Sequence, residues 1–381
     1  MHVLESETDT MTKLRTKTCQ EWDGNPVFFE RNRVFRVYKG GKLFHTFLGD
    51  ADEDGNLPEE WVASSVEALN KEKRVEREGI SKVKGQSVYF DELLNRYPQE
   101  MLGHGESMGI LVKYLDSAIR LPAQVHPDKA FSRQYFHSSY GKTESWIILD
   151  TREDACVYVG FRNRYTEEEL KLAIEKSEND RNVLQEMMTK IPVKRGDVFL
   201  IPAGMIHAIG GGCLILEIQE PTDLTIQPEA WCGDYYLDEY ERYLGLEQKD
   251  ALKCFDFNLW GKTAVEAGRK VAQTFAEDED RKSELLIGKE DTECFSIFRH
   301  QVKRTMILRD APGIYVVTKG EGWLENGRFS RSLTQGDYFF LPYVLKEKSR
   351  IVTNKGIEII ECLPPYAETA EQIYEGGNFN E

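Results

Sequence analysis

The chain has 381 residues, enough for a two-domain or double-barrel protein with a sizeable core, which excludes a small peptide or a lone motif. Forty-nine Lys and Arg against 65 Asp and Glu give a formal charge of −16, which disfavours a phosphate backbone or an anionic membrane as the main partner and leaves small ligands open, even anionic ones where cations gather locally. A hydrophobic content of 40% with 11% aromatics is that of an ordinary soluble globular chain, and no stretch approaches the roughly 18 consecutive apolar residues of a membrane span.

The first twenty residues are polar and lack the basic-then-apolar order of a secretory signal, so export is not expected. Residues 28–50 carry short apolar runs (Val34, Phe35 and Val37, then Leu43, Phe44 and Phe47) around Gly40 and Gly41, and read as strand, turn, strand. An acidic surface loop follows. Leu93, Leu94 and Tyr97 predict a helix over 90–102 that ends at Gly103. Strands are expected over 110–121, 146–149 and 155–159. Thr166 and Glu169 have capping-box spacing, and the apolar positions after them predict a helical insertion over about 165–191. Short strands then recur at 198–201, 214–218, 314–318, 322–325, 338–341, 351–353 and 358–362. Many short strands separated by Gly and Pro argue for β-barrel or sandwich units rather than a doubly wound parallel sheet.

Two segments echo one another: KRGDVFLIPAG at 194–204 and TQGDYFFLPYV at 334–344 repeat the same turn, strand and stop. The repeat predicts two related β units, divided between about 240 and 290. The copies part where chemistry would begin, since the first continues to His207 and the second reads Leu345-Lys346. Seven cysteines (Cys19, Cys156, Cys213, Cys232, Cys254, Cys294 and Cys362) are scattered without close pairing and read as reduced thiols in a cytoplasmic protein.

Gln124 and His126, two apart in AQVHP, would share a face of a strand. Glu144 opens the next apolar strand, and His207 follows the turn Pro202-Ala203-Gly204. One carboxylate, two imidazoles and an amide oxygen form a mixed N/O donor set suited to Zn²⁺, with Mn²⁺, Co²⁺ and Fe²⁺ as competitors. Read singly, each has an ordinary alternative: a strand-edge amide, an exposed carboxylate, a hydrogen-bonded histidine. His45, His104, His137 and His300 read as such ordinary histidines.

The runs MGILVKYLDSAIRLPAQVHPD, GKTESWIIL and GDVFLIPAGMIHAIGGGCLILEIQEPTD resemble, in order and spacing, the class I mannose-6-phosphate isomerases, a family of the cupin superfamily. Weaker likeness extends through VYKGGKL, PEEWVASS and the C-terminal QGDYFFLP, covering about residues 30–363. The resemblance implies a mainly β fold of two cupin (jelly-roll) barrels: a metal-binding unit over 1–245 with the helical insertion, and a degenerate unit over 246–381. It implies one divalent metal, most often zinc, on Gln124, His126, Glu144 and His207. It also implies interconversion of mannose 6-phosphate and fructose 6-phosphate through a cis-enediol, with a small sugar phosphate and neither nucleic acid nor membrane as partner.

Lys142 matches a pocket lysine of the family and shares a face with Glu144. Lys142, Glu217 and Glu220 are candidates for the proton-transfer group, Glu217 being the one that reads most simply as a structural strand residue. Two positions depart from the family pattern. Pro122 stands where the family has a serine that helps bind phosphate, and Gln227 stands where it has an arginine that contacts phosphate or assists proton transfer. Arg162, Arg164, Lys142 or Arg242 are candidates to supply the missing charge, and Trp231, Tyr235 and Tyr236 either wall a sugar site or pack ordinarily. The departures keep two alternatives open: an isomerase of an unphosphorylated or different sugar, and a non-catalytic sugar-binding cupin.

Overall fold

The computed structural model describes residues 21–71 and 74–367. The segment read above for a secretory signal and Cys19 lie outside the described residues. The described residues are mainly β, with 35% strand and 18% helix. Its first part supplies β1 (Arg33–Val34), β2 (Glu59–Val62), β3 (Leu111–Ser117), β4 (Glu144–Thr151), β5 (Cys156–Phe161), β6 (Met188–Pro192), β7 (Val198–Ile201), β8 (His207–Ile209), β9 (Cys213–Gln219), β10 (Trp231–Cys232), β11 (Tyr235–Tyr236) and β12 (Arg269–Lys270). One sheet runs β1-β2-β3-β9-β4-β7-β12, a second runs β6-β5-β8, and β10 pairs with β11. The remainder forms a nine-stranded sheet from β13 (Gln273–Glu277), β14 (Arg281–Ile287), β15 (Ser296–Val302), β16 (Thr305–Ile307), β17 (Gly313–Asn326), β18 (Phe329–Thr334), β19 (Tyr338–Leu341), β20 (Ser349–Val352) and β21 (Ile357–Leu363).

Alternation along β4 explains how the sheets pack, because successive side chains of a strand point to opposite faces. Ile147 and Leu149 join Tyr114, Leu216 and, from the nine-stranded sheet, Ile314, Val316 and Ile360 in a core shared by the two large sheets. Trp146 and Ile148 point the other way, onto Leu115, Phe199, Ile215 and, from the three-stranded sheet, Val157, Val159 and Ile209. Glu144, two before Trp146, and Glu217, two after Ile215, fall on this second face, which places two carboxylates at the polar end of an apolar interior.

Several expected elements change form. Leu43, Phe44 and Phe47 do not make a strand: Phe44–Leu48 is a helix that buries Phe44 and Phe47, three apart on one face, and ends at Gly49 with φ 77°. The helix expected over 90–102 breaks into Phe90–Arg96 and Pro98–Leu102, since Pro98 has no N–H for a continuing helix and is well placed to start a new one. The insertion is helical over Glu167–Ser177 and Val183–Met187, with the expected capping box at Thr166 and Glu169, but its last four residues belong to β6, paired with β5. The two strands expected at 314–318 and 322–325 are one, β17, which runs through Gly320 at φ 78°. The chain beyond residue 245 does not leave the first sheet at once: the helix Gly261–Gly268 packs on β5 and β7, and β12 pairs with β7.

Among the described residues no helix is long and apolar enough to cross a membrane. Cys156, Cys213, Cys232, Cys254, Cys294 and Cys362 are free and buried.

Candidate metal centre and its cleft

Three backbone devices bring the polar residues together. The extended segment Leu121–Pro127 is pinned by reciprocal bonds between Gln124 and His207, N–H to carbonyl at 2.9 Å in each direction, and by the same exchange between Val125 and Ile226. The turn after β7 closes with Met205 N–H donating to Pro202 O at 3.2 Å and with Gly204 at φ 85°, a left-handed conformation natural to glycine, and it delivers His207 to the start of β8. Glu144 is the first residue of β4, where Trp146 Nε1 donates to its Oε1 at 3.1 Å.

His126, Glu144 and His207 thus meet in the interior, each 1% exposed or less. Both imidazoles have a fixed tautomer, because a carbonyl oxygen only accepts: His126 Nδ1–H donates to Leu224 O at 3.1 Å and His207 Nδ1–H to Met205 O at 2.8 Å. Their Nε2 lone pairs are turned toward the Glu144 carboxylate, at 3.0 Å from Oε2 and 3.2 Å from Oε1. His207 Nε2 is buried with no hydrogen-bond partner. Lone pairs facing an ionised carboxylate repel, and a cation bound by all three groups removes that conflict, so the donor set fits a divalent metal. Burial and then the Lys142 ammonium push His126 down to about 3, keeping it neutral as a ligand must be. Burial alone would raise Glu144, but the Lys142 ammonium outweighs it and holds the carboxyl well below its usual range. Lys142 Nζ lies 2.7 Å from His126 Nε2 and 2.9 Å from Glu144 Oε2.

The cluster adjoins a cleft of ≈ 430 Å³ whose lining includes Gln124, Lys142 and Glu217, all buried. Burial is the main force on Glu217, raising its carboxyl to about 8. Beside it runs a second, largely buried charge network. Lys113 Nζ lies 3.8 Å from Glu217 Oε2 and 3.9 Å from both Glu59 Oε2 and Asp223 Oδ1. Arg36 donates to Glu59 at 2.8 Å and to both oxygens of Asp223 at 3.1 Å, while Tyr38 and Trp61 also donate to Glu59.

Sequence reasoning did not select Arg36, Glu59 or Lys113. A signal for Lys113 was present: it shares a strand face with Leu111 and Leu115, and a lysine inside an apolar alternation is costly unless it is paired. Of the residues selected, Gln124, Lys142, Gln227 and Pro122 line the cleft, and Glu220 does not. The Glu220 carboxylate instead accepts from the backbone N–H groups of Gly141 at 3.2 Å and Thr143 at 3.0 Å, holding the loop that carries Lys142. Gln227 spends its side-chain amide on Glu241 O at 3.1 Å. Arg242 turns away to Glu178 and Pro228 O, and neither Arg162 nor Arg164 lines the cleft. Of the three aromatics, only Tyr235 reaches the lining, whereas Trp231 and Tyr236 hydrogen-bond to Glu178.

Fold and site together define a β-sheet protein with a buried two-histidine, one-carboxylate cluster beside a ligand-sized cleft. No family model matches the chain. Among curated proteins it is 28% identical over 331 residues to mannose-6-phosphate isomerase of Streptococcus mutans, covering 84% of this chain and 93% of that one. It is 31% identical over 248 residues to mannose-6-phosphate isomerase ManA of Bacillus subtilis, covering 64% of this chain and 72% of the relative. Among solved structures, the mannose 6-phosphate isomerase of Bacillus subtilis superposes with a TM-score of 0.70 at 22% identity over 88% of this chain and 99% of that one. A variant phosphomannose isomerase of Salmonella typhimurium gives 0.66 at 12% identity, covering 89% and 99%, so the fold is common to all three. The chain belongs to the class I mannose-6-phosphate isomerase family.

Proposed function

We propose that this protein is a metal-dependent aldose–ketose isomerase that interconverts mannose 6-phosphate and fructose 6-phosphate. The observation that carries the reading is the pair of tautomer-locked imidazoles whose Nε2 atoms face Glu144 beside the cleft. His126, Glu144 and His207, with the Gln124 amide oxygen as fourth donor, would hold the metal. The set matches Zn²⁺, and Mn²⁺, Co²⁺ or Fe²⁺ fit the same atoms. When bound, such an ion supplies Lewis-acid polarisation of a sugar carbonyl and its neighbouring hydroxyl.

The chain's own groups do the rest. Lys142, buried against the cluster, presents donors to oxygens at the reacting end of the sugar. Glu217, a cleft carboxyl raised by burial toward neutral pH, can hold the proton in transit between adjacent carbons. Glu220 acts by positioning the Lys142 loop, and Gln227 offers a neutral polar contact on the cleft wall. The two large sheets are read as two cupin units, the first extending to Lys270, where its last strand ends. Six buried free thiols accord with a reducing cytoplasm.

The test is turnover. The metal-loaded protein should convert mannose 6-phosphate to fructose 6-phosphate, stop on chelation and recover on adding the metal back. Turnover of mannose with none of its 6-phosphate would transfer the reading to an unphosphorylated sugar. Stoichiometric metal without turnover of any aldose would leave a binding protein.

A further inference from the structure

Phosphate is a dianion at the far end of the substrate from the reacting carbons, and Pro122 and Gln227 bring no charge to the cleft. Five basic side chains do line it: Arg36, Lys71, Arg74, Lys113 and Lys142. Three are matched by carboxylates, the buried Lys142 by Glu144, the buried Lys113 by Glu59, Glu217 and Asp223, and the largely buried Arg36 by Glu59 and Asp223. Lys71 pairs with Asp238. Arg74 alone makes no ion pair among the described residues. Its guanidinium carbon lies over the Phe35 ring, 3.5 Å from the centroid, and Phe35 itself lines the cleft. A cation–π contact restrains a guanidinium without consuming its N–H donors, which stay available to an anion.

Place in the cleft agrees with charge. The lining residues beside the metal cluster are buried, whereas Arg74, Leu69 and Tyr240 are exposed and mark the mouth. A sugar with its first two carbons at the cluster therefore directs its sixth toward the mouth, where a dianion keeps part of its hydration. Leu69 and Asn70, which also line the cleft, are tied down: Leu69 N–H donates to Asp223 at 2.9 Å, and Asn70 accepts from Arg36 at 3.0 Å and donates to Glu78 at 2.9 Å. The wall near Gln227 offers instead the Glu241 carboxylate, which repels phosphate.

We infer that Arg74 is the specificity-determining residue for the phosphate ester. This rests on the isomerase reading for the identity of the substrate, but binding tests it independently of turnover. Sorbitol 6-phosphate has no carbonyl and cannot isomerise, so its affinity relative to sorbitol, measured by calorimetry on the metal-loaded full chain, reports the phosphate contact alone. The wild type should prefer the ester. Arg74→Ala should reduce that preference by about tenfold to a hundredfold, the range of a charge-assisted contact, and Arg74→Lys should restore part of it as a point charge. In turnover, Arg74→Ala should raise KM for mannose 6-phosphate and leave kcat nearly unchanged, as expected for uniform binding. An unchanged preference in Arg74→Ala, or equal affinity of the wild type for the two polyols, overturns the inference. The binding pattern without isomerisation by the wild type would instead remove the isomerase reading and leave the role of Arg74 standing.

Discussion

Two ladders in this molecule share a register and differ in outcome. In the first, Glu144 and Trp146 of β4 lie opposite Ile201 and Phe199 of β7, with Trp146 also opposite Glu217 of β9. In the second, Gly313 and Tyr315 of β17 lie opposite Leu341 and Phe339 of β19, with Tyr315 also opposite Glu361 of β21. Each ladder thus presents an aromatic pair and an inward carboxylate. At the Glu144 position, however, the second has a glycine, and after its strand–Pro stop the chain enters the short 3₁₀ turn Tyr343–Leu345 rather than continuing to a histidine. Glu361 is saturated by the Tyr315 hydroxyl and by His300 Nε2 at 2.8 Å, and His300 Nδ1 pairs with Ser283 Oγ at 2.9 Å. The space beside it is ≈ 30 Å³, against ≈ 430 Å³ in the first half. A buried carboxylate is structural when its neighbours satisfy it and available for chemistry when they face it with lone pairs.

Removing an imidazole from each ladder separates these cases most widely. His207→Ala should lose the metal and about a thousandfold or more in kcat/KM, the loss of several kcal/mol of Lewis-acid stabilisation. His300→Ala should keep both metal content and kcat/KM while lowering the melting temperature. Metal analysis beside steady-state kinetics reads the contrast.

Next in size is Glu59→Gln, which breaks the buried network behind the cleft and should destabilise by about 3–5 kcal/mol in chemical denaturation. Burial would raise the Glu59 carboxyl, but Arg36 and Lys113 outweigh it and hold it well below its ordinary value of 4.5. The folded value being the lower one, its stabilisation is present above the unfolded value and is lost as pH falls toward the folded one. Stability of the wild type should therefore drop below about pH 4.5 with a slope that the variant partly lacks.

The carboxylates at matching register give a smaller, sharper pair. Glu217→Gln should lower kcat by about a hundredfold with little loss of stability, in the range of a general acid–base group. Glu361→Gln should cost about 1–3 kcal/mol of stability and leave kcat alone. Equal kinetic effects would dissolve the distinction between the ladders. Smallest is Thr166→Ala in the insertion, outside both ladders, where loss of the capping box should cost about 1 kcal/mol and no activity.

What the sequence made legible follows from how local the signals are. β7 and β19 match their expected spans residue for residue because a Gly-Asp turn and a proline bracket each of them. Gln124, His126, Glu144 and His207 were visible as residue types suited to a metal, but their convergence depends on pairings such as Gln124 with His207 across the fold. The network of Arg36, Glu59, Lys113 and Asp223 was not legible, since its partners lie up to 187 residues apart and no local pattern links them. Glu217 read as a plain strand residue because alternation gives its face but not the cleft beside it, whereas Glu220, three residues on, has left the strand and turned its carboxylate to a loop. Phe44 and Phe47 misled because a five-residue helix leaves too few positions to separate its period from that of a strand.

The most direct test of the central claim is proton NMR of the metal-loaded wild type and of His207→Ala with mannose 6-phosphate in deuterated water. The wild type should form fructose 6-phosphate with deuterium exchange at the first two carbons, chelation should stop both, and His207→Ala should show neither. Exchange that persists at full rate in the chelated protein or in His207→Ala would contradict the assignment of the reaction to the His126, Glu144 and His207 centre.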